Sequence, residues 1–320
     1  MQHSRSAASL RVGVTAGIGA AALLLAIPGY AQESRELIMA AEFDTRPGAH
    51  LTIDVSDADV TVRNGAGGQV TFEVYLRARE MERGRVRFEA MNFRAEGNAD
   101  EVSVRSDEQR GVDWDWRNWG SFAIEVEVTV PEEFDADVRT QDGDVAVQSL
   151  SGDLRLRSSD GDITADSLTG DVTIHTSDGD ISVQRMVGGQ IEIGTSDGDV
   201  SLGDLQATRI VIDTSDGDIV LSAVQGPMEA QTTDGDIHVS IEQLGDTSLR
   251  TAEGDITIRA AEGLAADLDL RGEQLSMRSE VSFDGQLDRR VIRGTLNGGG
   301  PGLAARTREG RIVLRLQGNE

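Results

Sequence analysis

Between Thr140 and Ile258 apolar residues occupy every second position of short runs, and the runs return at a fixed step. Val172 and Ile174 alternate with Thr173 and His175; Ile181 and Val183 alternate with Asp180 and Ser182. A period of two is the strand period, in which successive side chains leave opposite faces. The same reading places Ile191, Ile193, Val200, Leu202, Ile210, Ile212, Ile219, Leu221, Ile237, Val239, Ile256 and Ile258 in a core. Between the runs stands one phrase: Thr-Gln-Asp-Gly-Asp-Val from 140, Ser-Ser-Asp-Gly-Asp-Ile from 158, and close copies from 176, 195, 214, 232 and 251. Its central glycines are 143, 161, 179, 198, 217, 235 and 254, a step of 18 or 19 residues. Gly152, Gly170 and Gly188 mark a weaker copy halfway through the step. A unit of this length buries its apolar face only against its neighbours, so the pattern predicts an all-β protein, a β-solenoid with two short strands and two tight turns per coil.

The Asp-Gly pairs read as tight turns, with glycine supplying positive φ and Asp bonding nearby backbone. Three residues before each strong glycine comes Thr140, Ser158, Thr176, Thr195, Thr214, Thr232 or Thr251. Alternation turns these hydroxyls inward, as a stacked ladder that satisfies backbone groups at the corner. Looser copies extend the pattern. Leu51, Ile53, Val55, Asp57, Asp59, Val60 and Val62 fit with Ala58 in the glycine place; Thr307, Glu309, Gly310, Ile312 and Leu314 fit with Arg311 in place of the second Asp. Gly254 to Gly310 spans 56 residues, about three coils' worth, with Leu268 and Leu270 in one of them, and the stretch 274–293 reads as an irregular loop or cap.

The organisation predicted is a signal peptide over 1–31, a β-rich cap section over 32–133 and the repeat domain over 134–320. Arg5 and Arg11 precede the apolar run Val12 to Ile27, and Gly29-Tyr30-Ala31 reads as a cleavage site; the competing reading is a membrane anchor, which the shortness and the Gly and Ala content of the run disfavour. Within the cap section Leu51 to Val62, Val70 to Leu76, Glu101 to Ser106 and Phe122 to Val130 read as strands, with a charged helix over Arg77 to Ala90. Open solenoid ends carry unpaired strands, so a differently built first section is expected.

Composition narrows the partners. The formal net charge is -26, and no lysine or cysteine occurs, which excludes disulfide staples and a lipoprotein anchor. Such a surface repels nucleic acid and anionic lipid and favours cations or basic partners. No segment after residue 31 is apolar enough to span a bilayer as a helix.

The acidic corners are the leading candidate chemistry. Asp142, Asp160, Asp178, Asp197, Asp216, Asp234 and Glu253 precede the strong glycines; Asp144, Asp162, Asp180, Asp199, Asp218, Asp236 and Asp255 follow them. Stacked about 4.8 Å apart, neighbouring carboxylates repel by about 1 kcal/mol in water. One reading is that Asp shapes the turn and keeps the edge soluble. The other is that Ca²⁺ bridges the coils through carboxylate and backbone oxygens, as in Ca²⁺-binding β-rolls, although most units here lack that family's Gly-Gly-x-Gly-x-Asp. The second candidate is Trp114, Trp116 and Trp119, within one eight-residue stretch, which either cover an open core end or bind a sugar or protein partner. Catalysis is not expected: His50, His175 and His238 are scattered, and no His-Glu-x-x-His, Gly-x-Ser-x-Gly or phosphate-loop pattern is present.

Val-Thr-Val-Pro-Glu-Glu from 128, the run of Thr-Ser-Asp-Gly-Asp-Ile units and Leu-Asn-Gly-Gly-Gly-Pro from 296 resemble the putative adhesin β-strand-repeat family, also called domain of unknown function 4097. The resemblance covers about Ala41 to Leu316. It implies a bacterial envelope protein with a β-solenoid fold and no catalytic residue. The expectation is therefore an exported, periplasmic or surface module that presents an acidic face to a protein or glycan. A Ca²⁺-dependent structural module, an envelope-stress accessory or sensor domain, and a polysaccharide-active β-helix enzyme are the alternatives.

Overall fold

The structure, a computed structural model, describes residues 34–107, 122–278 and 281–317. After β1 (Ser34–Asp44), β2 (His50–Asp54) and β3 (Ala58–Asn64) make a first coil, followed by β4 (Gln69–Ala78), helix α1 (Met81–Ala90), β5 (Arg94–Gly97), β6 (Glu101–Arg105) and β7 (Phe122–Val130). Regular coils run through β8 (Asp135–Arg139), β9 (Val145–Ser151), β10 (Leu154–Arg157), β11 (Ile163–Thr169), β12 (Val172–His175), β13 (Ile181–Gly194), β14 (Val200–Asp213), β15 (Ile219–Gln231) and β16 (Ile237–Arg250). The C-terminal section holds β17 (Ile256–Ala261), β18 (Ala266–Arg271), β19 (Gln274–Arg278), β20 (Phe283–Leu287), β21 (Val291–Leu296), β22 (Gly302–Arg306) and β23 (Arg311–Gln317).

Two sheets face each other. Face A stacks β1, β4, β7, β3, β9, β11, the first halves of β13 to β16, then β17, β23 and β19. Face B stacks β5, β6, β2, β8, β10, β12, the second halves of β13 to β16, then β22, β18, β21 and β20. Pairing is parallel within the solenoid and antiparallel only near its two ends, at β1–β4, β4–β7, β5–β6, β18–β21 and β20–β21. From Ile181 onward the halfway corner no longer interrupts the strand, and β13 to β16 run through it onto both faces. Every repeat residue expected inside is buried, from Val172 and Ile174 to Ile256 and Ile258, and one apolar cluster joins them to Leu51, Ile53, Val60 and Val62 of the first coil. Residue 133 therefore marks no break in the core.

The order of coils in space differs from the order in sequence. The coil β2/β3 lies between β6/β7 and β8/β9, so the chain steps over it at Pro131. At the other end β22 lies between β16 and β18, and β23 between β17 and β19. Gly310 consequently stacks directly on Gly254, not three coils away: an alanine Cβ at 310 would meet the Gly254 carbonyl oxygen at 2.1 Å. The 55 residues between them include β17, β18, β19, the β20–β21 hairpin and β22. The stretch 274–293, expected to be irregular, holds β19, β20 and the start of β21; its alternation is interrupted by the hairpin turn, which hides the strand period. The helix also begins later than expected, because Arg77 and Ala78 complete β4 against β7.

The strong glycines are present for a different reason than turn conformation. Gly143, Gly161, Gly179, Gly198, Gly217, Gly235 and Gly254 do not adopt positive φ; among the repeat glycines Gly152, Gly170 and Gly226 do. Instead a Cβ at any of these seven positions would sit 1.9–2.2 Å from the carbonyl oxygen of the residue beneath it in the stack. Real Cβ atoms do not approach so closely, and the obstacle is backbone, which cannot rotate away. Gly179→Ala is expected to destabilise the fold by about 2–3 kcal/mol, the cost of overpacking against fixed neighbours. Gly263→Ala, where a Cβ meets nothing within 4 Å, should stay within about 0.5 kcal/mol of wild type. Urea unfolding midpoints check both.

Candidate functional site

Each coil turns from face B to face A at the repeated corner. Thr140, Ser158, Thr176, Thr195, Thr214, Thr232, Thr251 and Thr307 are all buried there. The Thr176 hydroxyl donates to the Ser159 and Gly161 carbonyls, at 3.2 and 3.0 Å, and Thr195 and Thr214 repeat the contact one and two coils further on. The hydroxyl also accepts: Gly161 N–H donates to Ser158 Oγ at 3.0 Å. The inward ladder expected from alternation is therefore the element that joins corner to corner.

The two acidic columns do different things. The second Asp of each corner accepts from the next coil: Asp180 N–H donates to Asp162 Oδ1 at 2.8 Å, Asp199 N–H to Asp180 Oδ1 at 2.8 Å, and Asp218 N–H to Asp199 Oδ1 at 2.8 Å. The series begins at Asp59, which takes the Asp144 N–H, and continues through Asp236 to Asp255. It ends where Arg311 replaces Asp: the Arg311 backbone N–H donates to Asp255 Oδ1 at 2.8 Å, and its guanidinium reaches Asp255 Oδ2 at 3.0 and 2.5 Å. Carboxylates that accept backbone N–H groups offset their mutual repulsion. Burial alone would raise the Asp255 carboxyl, but the hydrogen bonds and charge of Arg311 outweigh it and hold it below the usual carboxylate range.

The first acid of each corner, Asp142, Asp160, Asp178, Asp197, Asp216, Asp234 or Glu253, is exposed. Its own backbone N–H is satisfied by the coil below, as with Asp178 N–H to the Ser159 carbonyl at 3.0 Å. At the N-terminal end of this column burial and the neighbouring Asp57, by its charge and its hydrogen bond, raise the Asp142 carboxyl above its ordinary value. Among the described residues no three His, Cys, Asp or Glu side chains gather as a metal-holding group; the acids form lines one residue wide. Trp114, Trp116 and Trp119 lie outside the described residues. Near the N-terminal end Met91 is buried in the core, and Phe88 and Phe93, stacked at 5.0 Å, pack against it.

The feature that sequence reasoning missed is on face B. Four cavities of about 280, 390, 380 and 460 Å³ share lining residues and merge into one groove. Arg157 and His175 line two of them, and Val211 lines three. The groove crosses the strands from β2 to β22, about 38 Å at the spacing of stacked strands. Its middle is floored by small side chains, Thr173, Gly194 and Val211, between longer ones, Arg155, Glu192 and Arg209. A signal was present in the sequence. The residue before each corner hydroxyl is Arg139, Arg157, His175, Gly194, Asp213, Gln231, Arg250 and Arg306, and register places these side by side across face B. The row is cationic at its two ends and neutral or acidic between, in a chain that is otherwise strongly acidic.

Two facing sheets, parallel through the coils, with glycine-packed corners and a groove across face B, define a β-solenoid. The chain matches the Toastrack DUF4097 family over residues 49–312 and belongs to it. No curated protein matches the chain. Among solved structures it is similar to a putative adhesin from Bacteroides fragilis NCTC 9343 (12% identity, TM-score 0.41, covering 88% of this chain and 98% of that one). It is also similar to a putative lipid binding protein from Parabacteroides distasonis ATCC 8503 (9%, 0.43, 88% and 97%) and to a putative cell adhesion protein from Clostridium sporogenes ATCC 15579 (6%, 0.20, 89% and 99%).

The two columns separate by mutation. Asp180→Ala removes the acceptor for the Asp199 N–H and is expected to cost about 1–2 kcal/mol, whereas Asp178→Ala, without such a partner, should stay within about 0.5 kcal/mol; chemical denaturation of the two variants measures the difference. The corner acids also titrate in opposite senses. Asp142 holds its proton to higher pH when folded than when unfolded, so its contribution falls as pH rises above the ordinary carboxylate range. Asp142→Asn should therefore raise the thermal midpoint at neutral pH and leave it little changed well below that range. Asp255 is depressed, so its contribution is full above the ordinary range and is lost on acidification through its folded value. Arg311→Ala should thus lower the midpoint at neutral pH more than at acid pH.

Proposed function

We propose that this chain is an exported, non-catalytic binding module of the bacterial envelope that accepts an elongated ligand along the face B groove. The observation that carries the reading is the continuity of that groove over the coils from β2 to β22. A stack of equal coils presents equivalent positions at equal steps, which suits a ligand that repeats along its own length. The lining alternates Arg with Asp and Glu beside Thr and Ser, and these donors and acceptors pair with sugar hydroxyls. His50 and His175 lie on face B but are separated by β8 and β10, and His238 lies on face A. Among the described residues no histidine is thus set beside another to pass a proton. The basic and apolar first 31 residues support export, and among the described residues no helix is long and apolar enough to cross a membrane.

Fractionation of cells that express the full chain should recover it outside the cytoplasm without residues 1–31; retention in the cytosol at full length would exclude export. A panel of envelope polysaccharides should retain the wild-type chain, and Val211→Arg, which fills the groove where three cavities meet, should abolish retention with unfolding unchanged. Equal retention of wild type and Val211→Arg would remove the groove from the account.

A further inference from the structure

The cationic ends of the face B row differ in what their charges already hold. At the C-terminal end Arg250 pairs with Glu229 at 2.7 Å, while Arg271, Arg293 and Arg306 surround Asp269 at 2.9, 3.2 and 3.5 Å. At the N-terminal end Arg139 on β8 and Arg157 on β10 stand on neighbouring strands in strict register, and His175 on β12 adds an imidazole to the same row. Arg139 and His175 are exposed, and among the described residues neither has an ion pair; Arg157 reaches Asp137 at the long distance of 3.4 Å. Two guanidiniums stacked at about 4.8 Å repel one another, and among the described residues only Asp137, at 3.4 Å from Arg157, and Asp54, in register beside Arg139, offset that repulsion. All three line the 380 Å³ end of the groove, where Ser159 and Ser177 add hydroxyls and Asp54 flanks Arg139 on β2.

We propose that this end of the groove is an anion subsite that recognises the carboxylate of an acidic polysaccharide, a uronate-type sugar lying across β8, β10 and β12. The proposal rests on the reading of the groove as a site for an elongated ligand and names its chemistry. Guanidinium forks match carboxylates in geometry and charge. The step between the cations is set by the coils, so the ligand must carry its charges at intervals with neutral, hydroxyl-bearing chain between. A sugar polymer does so, and its hydroxyls have Ser159, Ser177 and Asp54 to bond. Duplex DNA fits less well: with both strands counted it carries a charge about every 1.7 Å of its axis, far denser than the coil step that separates Arg139 from Arg157.

Affinity electrophoresis of the full chain through gels containing polygalacturonate, fully methyl-esterified polygalacturonate or single-stranded oligonucleotide tests this. The wild type should be retarded by the acid polymer and less by its ester, and added salt should weaken the retardation because the pairs are exposed. The double variant Arg139→Ala/Arg157→Ala should lose affinity for the acid polymer roughly tenfold, with unfolding unchanged. Arg250→Ala/Arg306→Ala, at the committed end, should lose little. Equal binding by wild type and the N-terminal double variant, or equal binding of acid and ester, would overturn the anion subsite. If the ester is then still lost on Val211→Arg, the groove reading survives without it. Retardation by neither polymer would overturn the proposal, and oligonucleotide binding of equal strength that fails in the same double variant would replace the glycan by nucleic acid.

Discussion

The approach of one coil's backbone to the next at the glycine corner is the constraint on which this molecule depends. Hydrogen bonding between parallel strands fixes the step between coils at about 4.8 Å, and at the corner that step leaves no volume for a Cβ above the carbonyl of the preceding glycine. Once the corners are locked at that distance, the inward hydroxyl can reach two carbonyls of the coil below, and the following Asp can accept the N–H of the coil above. The repeated phrase is therefore a set of three contacts along the stack, and it is read between coils more than within any one of them. The apolar strands fill the space between two sheets that the corners have already positioned.

Much of this was legible in the residues. The alternation of Ile181 and Val183 with polar neighbours, repeated at a fixed step, is a direct record of which side chains face the core, because burial and strand period act on each residue alone. The inward hydroxyls were legible for the same reason. The role of the strong glycines was not, since Asp-Gly has a well-known local meaning and the relevant neighbour lies 18 or 19 residues away. Asp180 and Asp178 look alike in sequence and differ only in which of them faces an N–H of the adjoining coil. The groove was hidden in another way: Arg139, Arg157 and His175 are spaced like every other repeat position, and only the register of face B brings them into one row. The family to which the chain belongs was legible from the phrase itself, and fixes the fold without choosing a ligand.

The distribution of charge follows from the same geometry. A residue at one repeat position is copied along a line, so each line acquires its own sign. The second-Asp line is hydrogen-bonded by backbone donors and closed by Arg311. The first-acid line is left to solvent. At the N-terminal edge of face A, Arg35 bridges Glu125 and Glu127 and lies over Tyr75 at 3.5 Å, with Arg63 and Arg77 on the same two carboxylates. That network ties β1, β4, β7 and β3 together where the parallel ladder has ended, so the edge strand is held by side chains as well as by its backbone.

The displaced coils at the two ends govern how the molecule can be assembled. A solenoid whose coils stack in sequence order can grow from one end as it is made, each new turn finding its template already in place. Here β18 and β19 emerge before the strands that join them to the rest of the stack, because β22 and β23 must slide between them and the body. β18 and β19 reach the body of the stack only through those final strands, so the C-terminal end is complete only once β22 and β23 are in place. The first coil is enclosed in the same fashion by β6 and β7. The coil β2/β3 and the final strands β22 and β23 are each clasped between neighbours on both sides, and none of them can peel away without prising apart two ladders.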